Sequence, residues 1–318
     1  MHTLYQKIKE KIKENYILYV ILIIVRNHCY YFFNKISNYK LEKIKFYKKL
    51  GYSLKLKVPQ SYNEKIVWKK IHDRNPLLPI TADKYEVRSY IKEVLGEERV
   101  KEVLIPLLFV TDKPETIPFE KFPSSFIIKP NHASGLQILV ENNLYNKEKI
   151  IKTCKQLLKI PYGLEKLEWA YQSIKRKIVV EKLLRDNEGN IPLDFRFNMF
   201  NGKCKLVHAF FRSNRSVSSF DEKWNFLSIK ILNCKVGPKI KKPKNFKTML
   251  ELAEKLSKPF DYVRVDLYSL KGKVYFGELT HYPTSGVNKF EPQSFDFELG
   301  SYWKVESKYW KNKQINFV

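Results

Sequence analysis

The chain has 318 residues, 44% hydrophobic and 14% aromatic with only 11 glycines. This excludes a disordered or fibrous chain and allows a sizeable core without a disulfide or metal staple. The 59 Lys+Arg against 33 Asp+Glu give +26 at pH 7 and point toward anionic partners: nucleic acid, an acidic membrane surface or an acidic polymer. A Lys-, Ile- and Asn-rich coding bias accounts for the same excess. Cys29, Cys154, Cys204 and Cys234 show no CxxC spacing, and the six histidines form no HExxH or HxH pair. That excludes a disulfide framework and a histidine-built metal site, and fits a reducing, cytoplasmic compartment.

Residues 1–57 hold 13 Lys+Arg and three Glu, so they form a basic N-terminal extension. Leu4, Ile8 and Ile12 recur among Lys7, Lys9, Lys11 and Lys13, as in a basic amphipathic helix. The apolar run Tyr16 to Val25 ends at Arg26, Asn27 and His28, too short for the roughly 20 residues a bilayer span needs. No small-residue cleavage site follows it, so a signal peptide is not expected. Two readings stand: a monotopic anchor on an anionic cytoplasmic leaflet, or a helix buried against the rest of the chain.

Beyond residue 58, a helix opens at PQSYNEKIVWK (59–69) with Ser61 or Asn63 as cap, and Asp83 to Leu95 has helical spacing ending at Gly96. Val103 to Val110 reads as a buried strand. Phe126 to Lys129 is a strand entering the loop Pro130 to Gly135. Lys147 to Lys159 is a helix, and Ile178 to Leu184 a strand. In Leu193 to Phe200, Asp194, Arg196 and Asn198 alternate with Phe195, Phe197 and Met199, and Asn201-Gly202 turns the chain into Lys203 to Phe211. A lysine-rich loop (235–247), an amphipathic helix (245–257) and a hairpin (262–270 with 273–279) complete the order. The pattern predicts an α+β fold with a mixed or antiparallel sheet.

Arg264, Asp266 and Glu278 sit on that hairpin. A three-residue turn ending at Gly272 puts Arg264 opposite Glu278 with Asp266 diagonal; a two-residue turn sends the two carboxylates to opposite faces. Two carboxylates beside an arginine make a magnesium–phosphate site, and a surface charge network uses the same residues. Lys129 before the His132-Ala133-Ser134-Gly135 loop suits a phosphate held by an ammonium and by loop amides. The Glu181-Lys182-Leu183-Leu184 segment suits an adenine edge.

Taken in order, Asp83-Lys84…Arg88, FIIKPNHASG (126–135), IVVEKLL (178–184), DFRFNMFNGK (194–203) and RVDLYSLKGKVYFGELTHYPTSG (264–286) resemble the ATP-grasp enzymes. Within them the series is similar to the TupA-like branch, associated with teichuronopeptide and other bacterial surface-polysaccharide synthesis. The resemblance covers residues 58 to 300. It implies an ATP-grasp fold, two α+β subdomains clasping ATP, divided here as 58–120, a lid at 121–184, a nucleotide and metal core at 185–300 and a tail at 301–318. It implies ATP and Mg2+ as cofactors. Lys84 and Lys129 would hold the α- and β-phosphates, with His132, Ser134 and Gly135 in the covering loop. Glu181, Lys182 and Leu184 would take adenine and ribose, while Asp194 and Arg196 line the cleft. Asp266 and Glu278 would ligate magnesium, and Arg264, with Lys129, would serve catalysis. Thr280 stands where ATP-grasp enzymes commonly have a metal-binding asparagine and the TupA-like branch has threonine; from the branch itself Ala133 departs where it has a glycine, and Arg196 where it has a lysine.

The implied activity is ATP-dependent joining of a carboxylate, such as a uronic acid, to an amine or amino acid through an acyl phosphate, at or near the inner face of the membrane. A glycosyltransferase-type polysaccharide enzyme is one alternative, although no DxD occurs. A polyanion- or nucleic-acid-binding protein is another, although no RNP, helix-turn-helix or zinc-finger signature occurs.

Overall fold

The polar residues that interrupt the N-terminal apolar run do not end its helix. In the computed structural model, which describes residues 16–232 and 234–305, α1 runs from Tyr16 to Ile36 and α2 from Lys40 to Leu50. The basic repeat of Leu4, Ile8 and Ile12 lies outside the described residues. No helix among the described residues is long and apolar enough to cross a membrane. Phe46, Leu50 and Leu54 pack on Val67 and Ile71, and Lys70 reaches back to Glu42 at 2.6 Å with both side chains fully buried. From Glu42 onward the extension is thus part of the packed body.

α3 (Tyr62–His72) starts at Ser61 with a capping box: the Ser61 hydroxyl accepts from Glu64 N, and Glu64 accepts from Ser61 N. The helix expected over Asp83 to Leu95 is shortened to α5 (Val87–Leu95), preceded by a separate α4 (Leu77–Ala82), because Asp83 leaves helical geometry and takes the Tyr85 and Glu86 amides on its carboxylate. α6 (Glu97–Val103) follows Gly96. The strand expected over Val103 to Val110 is corrected to β1 (Leu107–Thr111), and it is half-buried, since Val103 still belongs to α6.

β1, β2 (Phe126–Pro130), β3 (Ile138–Val140) and β4 (Ile178–Lys182) form an antiparallel sheet in the order β1-β4-β2-β3, with α7 (Lys147–Lys159) in the crossover. One face, with Phe126, Ile128, Ile178 and Val180, packs on Ile150 and Cys154 of α7. Period-2 alternation sends Lys129 and Glu181 to the opposite face.

The second sheet begins with β5 (Asp194–Phe200) and β6 (Lys203–Phe211), joined through Asn201 and Gly202, both at positive φ as a two-residue hairpin turn requires. β7 (Ser216–Phe220), β8 (Phe226–Leu227), β9 (Lys230–Ile231) and β10 (Lys235–Val236) follow, the last inside the lysine-rich segment read as a loop. Then come α8 (Phe246–Ser257), β11 (Tyr262–Leu270), β12 (Lys273–Thr280), β13 (Phe290–Glu291) and α9 (Ser294–Ser301). The order is β10-β7-β6-β5-β11-β12, with β8 on β7. The apolar face of β5 and β11 (Phe195, Phe197, Val263, Val265, Leu267) packs on Phe246, Met249, Leu252 and Leu256 of α8. Full burial of each such side chain contributes about 1.5–3 kcal/mol. The fold is α+β, as expected.

Candidate active site

The polar faces of the two sheets look at each other across a cavity of 380 Å³. On the large sheet Asp266 pairs with Arg196 of β5 on one side and with Glu278 of β12 on the other. The β11–β12 turn holds two residues, Lys271 and Gly272, rather than three. A two-residue turn alone would separate the carboxylates. A β-bulge at Gly277 restores them to one face, with Asp266 directly opposite Glu278 and Arg264 opposite Thr280. Glycine is needed there, since a Cβ would lie 3.0 Å from the Asp266 carbonyl oxygen.

Arg264 binds Asp266 through Nε at 2.7 Å and Nη2 at 2.5 Å, and reaches the Thr280 hydroxyl at 3.1 Å and Glu278 at 3.4 Å. Thr280 in turn donates to Glu278 at 2.8 Å. Burial works to raise the Glu278 carboxyl, but Lys84 and Arg264 outweigh it and hold it down to about 2. Burial raises Asp266, and Asp194 and Glu278 add to it against the pull of Arg264. Asp194 accepts from Arg196 at 2.9 and 3.1 Å and from Arg212 at 3.4 Å through Oδ2, while its Oδ1 is buried without a partner. Arg196 also lies over the Phe210 ring at 4.0 Å.

On the small sheet Lys129 Nζ meets Glu181 at 2.5 Å, and Arg88 approaches the same carboxylate at 3.6 Å. Lys84 donates to the Ala133 carbonyl at 2.6 Å, and burial lowers its pKa. Asn131 pins this loop: it donates to Asp83 at 2.8 Å, accepts from Lys177 N at 2.7 Å and takes Lys84 N on its carbonyl.

Of the residues singled out from sequence, Lys84, Lys129, Ser134, Gly135, Glu181, Lys182, Leu184, Asp194, Arg196, Arg264, Asp266 and Glu278 line the one cavity. His132 does not: it is buried with Nε2 against the Ile160 carbonyl at 3.2 Å, and burial lowers it to about 4, so it is a neutral core residue. His208 and His281 are also buried, on Ser219 and Thr81. The sequence does not single out Tyr268, and it reads Arg212 as an acceptor-binding or a solvated loop arginine; both line the cavity. For Tyr268 the signal was present, because it continues the alternation of Arg264 and Asp266.

A second cavity of 290 Å³ shares Lys84, Ser134, Arg264 and Glu278 with the first and extends to Tyr162, Lys166, Glu168, Tyr171, Tyr282 and Ser285. Glu168 is buried, which pushes its carboxyl up to about 7 against the attraction of Lys166 and Lys70 and a hydrogen bond from Ser285.

Two facing sheets with lysines on the smaller and an acid–arginine pair on the larger define an ATP-grasp fold. The chain belongs to the TupA-like ATP-grasp family, whose model matches residues 64–304. No curated protein sequence matches it. Among solved structures it is similar to D-alanine–D-alanine ligase from Bacillus anthracis complexed with ATP (16% identity, 66% of this chain and 56% of that one, TM-score 0.38). It is also similar to D-alanine–D-alanine ligase from Helicobacter pylori (15%, 77% and 70%, TM-score 0.43). A third similarity is to the ADP complex of N5-carboxyaminoimidazole ribonucleotide synthetase (11%, 64% and 46%, TM-score 0.37). The chain spans 56–60% of the length of the Bacillus anthracis structures it matches.

Proposed function

We propose that the protein is an ATP-dependent carboxylate–amine ligase working through an acyl phosphate in bacterial surface-polysaccharide synthesis, with a uronic acid or similar carboxylate as acceptor. The observation that carries the reading is the single cavity in which Lys84, Lys129, Arg196, Arg212 and Arg264 surround the facing pair Asp266 and Glu278. A triphosphate needs such a density of cations, and a divalent ion needs hard oxygen donors beside them. The polysaccharide role rests on the family alone.

Magnesium fits these residues. Asp266 and Glu278 would hold it, and the unpartnered Asp194 Oδ1 leaves oxygen capacity on the same face. No group of three or more His, Cys, Asp or Glu among the described residues could hold a metal by itself. Asp266 and Glu278 alone would therefore not saturate the ion, and further hard oxygen donors would have to come from outside these side chains. Bound there, the ion would neutralise phosphate charge during transfer.

Lys84 and Lys129 orient the phosphates and draw off their charge. The acceptor carboxylate oxygen attacks the γ-phosphorus, the bond to the bridging oxygen breaks, and ADP leaves. Arg264, released from Asp266, places its guanidinium on the acyl phosphate. The 131–135 loop, pinned by Asn131, covers the site, because an acyl phosphate exposed to water would hydrolyse. The amine enters through the second cavity, where Glu168 takes the proton an ammonium must lose before attack. The neutral amine then forms the C–N bond, the C–O bond to phosphate breaks, and the leaving phosphate takes the second amine proton.

The test is ADP release by wild type across a panel of uronic acids and other carboxylates combined with amino acids and alkyl amines, beside Lys129→Ala. Release that requires both a carboxylate and an amine and is lost in the variant is expected. Binding of polyanions that needs no ATP, with no coupled ADP release, would sink the reading.

A further inference from the structure

Helix α1 is amphipathic in the inverse sense. Toward the protein it turns Val20, Asn27 and Asn34, all under 10% exposed. The two asparagines are held by hydrogen bonds: Asn27 donates to Glu165 at 3.2 Å, and Asn34 accepts from Glu42 N at 3.0 Å. Away from the protein it turns Ile21, Leu22, Val25, Phe32, Phe33 and Ile36, which are 43–73% exposed. At 3.6 residues per turn these six fall within an arc of about 120°, opposite the asparagines. A helix that only packed on a water-soluble body would do the reverse.

On α1 itself, exposed Arg26 and Lys35 fall at the two edges of this arc by helical spacing, and the helix that follows carries further exposed lysines. In α2, Ile44 and Tyr47 are 42% and 58% exposed, and helical spacing puts them on one face with exposed Lys40 and Lys48. Residues 1–57 carry 13 Lys+Arg against three Glu. An apolar stripe edged by Arg26 and Lys35 complements the acyl boundary and anionic headgroups of a lipid leaflet; a protein groove would not need the positive charge.

We propose that the chain docks on an anionic phospholipid surface through the outward face of α1 and the adjoining face of α2, lying on the bilayer without spanning it. The docking helix is rigidly attached to the body. Tyr30 of α1 donates to Glu42 at 2.7 Å, Glu42 pairs with Lys70, and Lys70 donates to the Ser285 carbonyl at 2.9 Å beside the second cavity. The bilayer thus meets a fixed orientation of the catalytic body, which suits an acceptor carried on a lipid or polymer at the membrane.

The experiment is co-sedimentation of the full chain with vesicles of phosphatidylcholine alone and with about 30% phosphatidylglycerol. It is run beside Phe32→Ser with Phe33→Ser, and beside Lys40→Glu with Lys48→Glu. Binding only to the anionic vesicles is expected, weakened about tenfold by either pair of substitutions, with the melting temperature and Mg·ATP binding unchanged. Three results would overturn the proposal. Wild type could fail to bind anionic vesicles, or the Phe32/Phe33 variant could bind as well as wild type. Alternatively, the apolar substitutions could lower the melting temperature or abolish a dimer in solution, which would assign the stripe to residues 1–15 or to a second copy of the chain. None of these touches the ligase reading, which stands or falls on ADP release.

Discussion

Glu278→Gln separates a metal-ligand carboxylate from a carboxylate that merely balances charge. In the wild type Lys84, Lys129, Arg196, Arg212 and Arg264 line the nucleotide cavity with Glu181, Asp194, Asp266 and Glu278. Removing one negative charge favours metal-free ATP and disfavours the metal. A unit-charge pair about 5 Å apart at an effective dielectric near 20 interacts by about 3 kcal/mol. The Glu278 side chain is 37% exposed to the cavity, so screening reduces this to about 1–2 kcal/mol, or roughly tenfold in affinity. Toward a divalent ion the same loss is doubled, about a hundredfold. Four titrations close the cycle: ATP into wild type and into the variant, each in EDTA and in excess magnesium. The variant is expected to bind metal-free ATP about tenfold tighter and to lose most of the magnesium enhancement. Lys129→Ala should instead weaken ATP in both conditions. A magnesium enhancement unchanged in Glu278→Gln would refute the assignment of Glu278 as a ligand.

Glu168→Gln should slow amide formation with amines yet keep hydroxamate formation with hydroxylamine, which is largely neutral at pH 7 and attacks the acyl phosphate without needing a base; colorimetric hydroxamate against amide yield reads this. Because burial raises Glu168 to about 7 from an ordinary 4.5, the folded state loses stability as pH rises through that window, so above pH 7 the same variant should be more urea-resistant than wild type. The buried histidines have the opposite sign. His132 and His208 are lowered by burial to about 4 and about 3 from an ordinary 6.5, so the unfolded chain takes up protons first as pH falls. Each should remove about 1.4 kcal/mol per pH unit below pH 6.5, read as a falling urea midpoint. Glu42→Ala leaves Lys70 charged and buried without its anion, and should cost about 3–5 kcal/mol, whereas Glu42→Gln with Lys70→Met should cost less than the two single changes together. Gly277→Val pushes a side chain onto the Asp266 carbonyl and should weaken the magnesium enhancement while leaving metal-free ATP binding intact.

The strands that carry the site were legible because alternation is a local signal. Asp194, Arg196 and Asn198 face away from Phe195, Phe197 and Met199 whatever the rest of the chain does. The hairpin register was not. Lys271-Gly272 is a two-residue turn, and counting from it gives the wrong parity until Gly277 is recognised as a bulge. A glycine inside an otherwise apolar strand was the available sign, and only the close approach of Asp266 makes it decisive. Lys69 and Lys70 were opaque for another reason. In a KK pair on a helix, local pattern reads two solvated residues, but Asp261, Asp73 and Glu42, two of them distant in sequence, bury both. The resemblance puts His132 in the phosphate-covering loop, but the Ile160 carbonyl, 28 residues away in sequence, claims the ring.

Two of the resting ion pairs in the cavity determine the order in which the site must fill. Arg264 holds both oxygens of Asp266, and Lys129 holds Glu181. Nucleotide can exchange Lys129 from Glu181 onto phosphate at modest cost, because one charge-assisted bond replaces another. A cation reaching Asp266 before any phosphate would have to displace a bidentate arginine and leave that buried guanidinium beside the incoming charge with only its longer contact to Glu278, which is expensive. With phosphate present, Arg264 gains an anion as Asp266 is released to the metal. Magnesium should therefore bind weakly alone and tightly with ATP, while the Arg264 exchange couples metal binding to the group that must then meet the acyl phosphate.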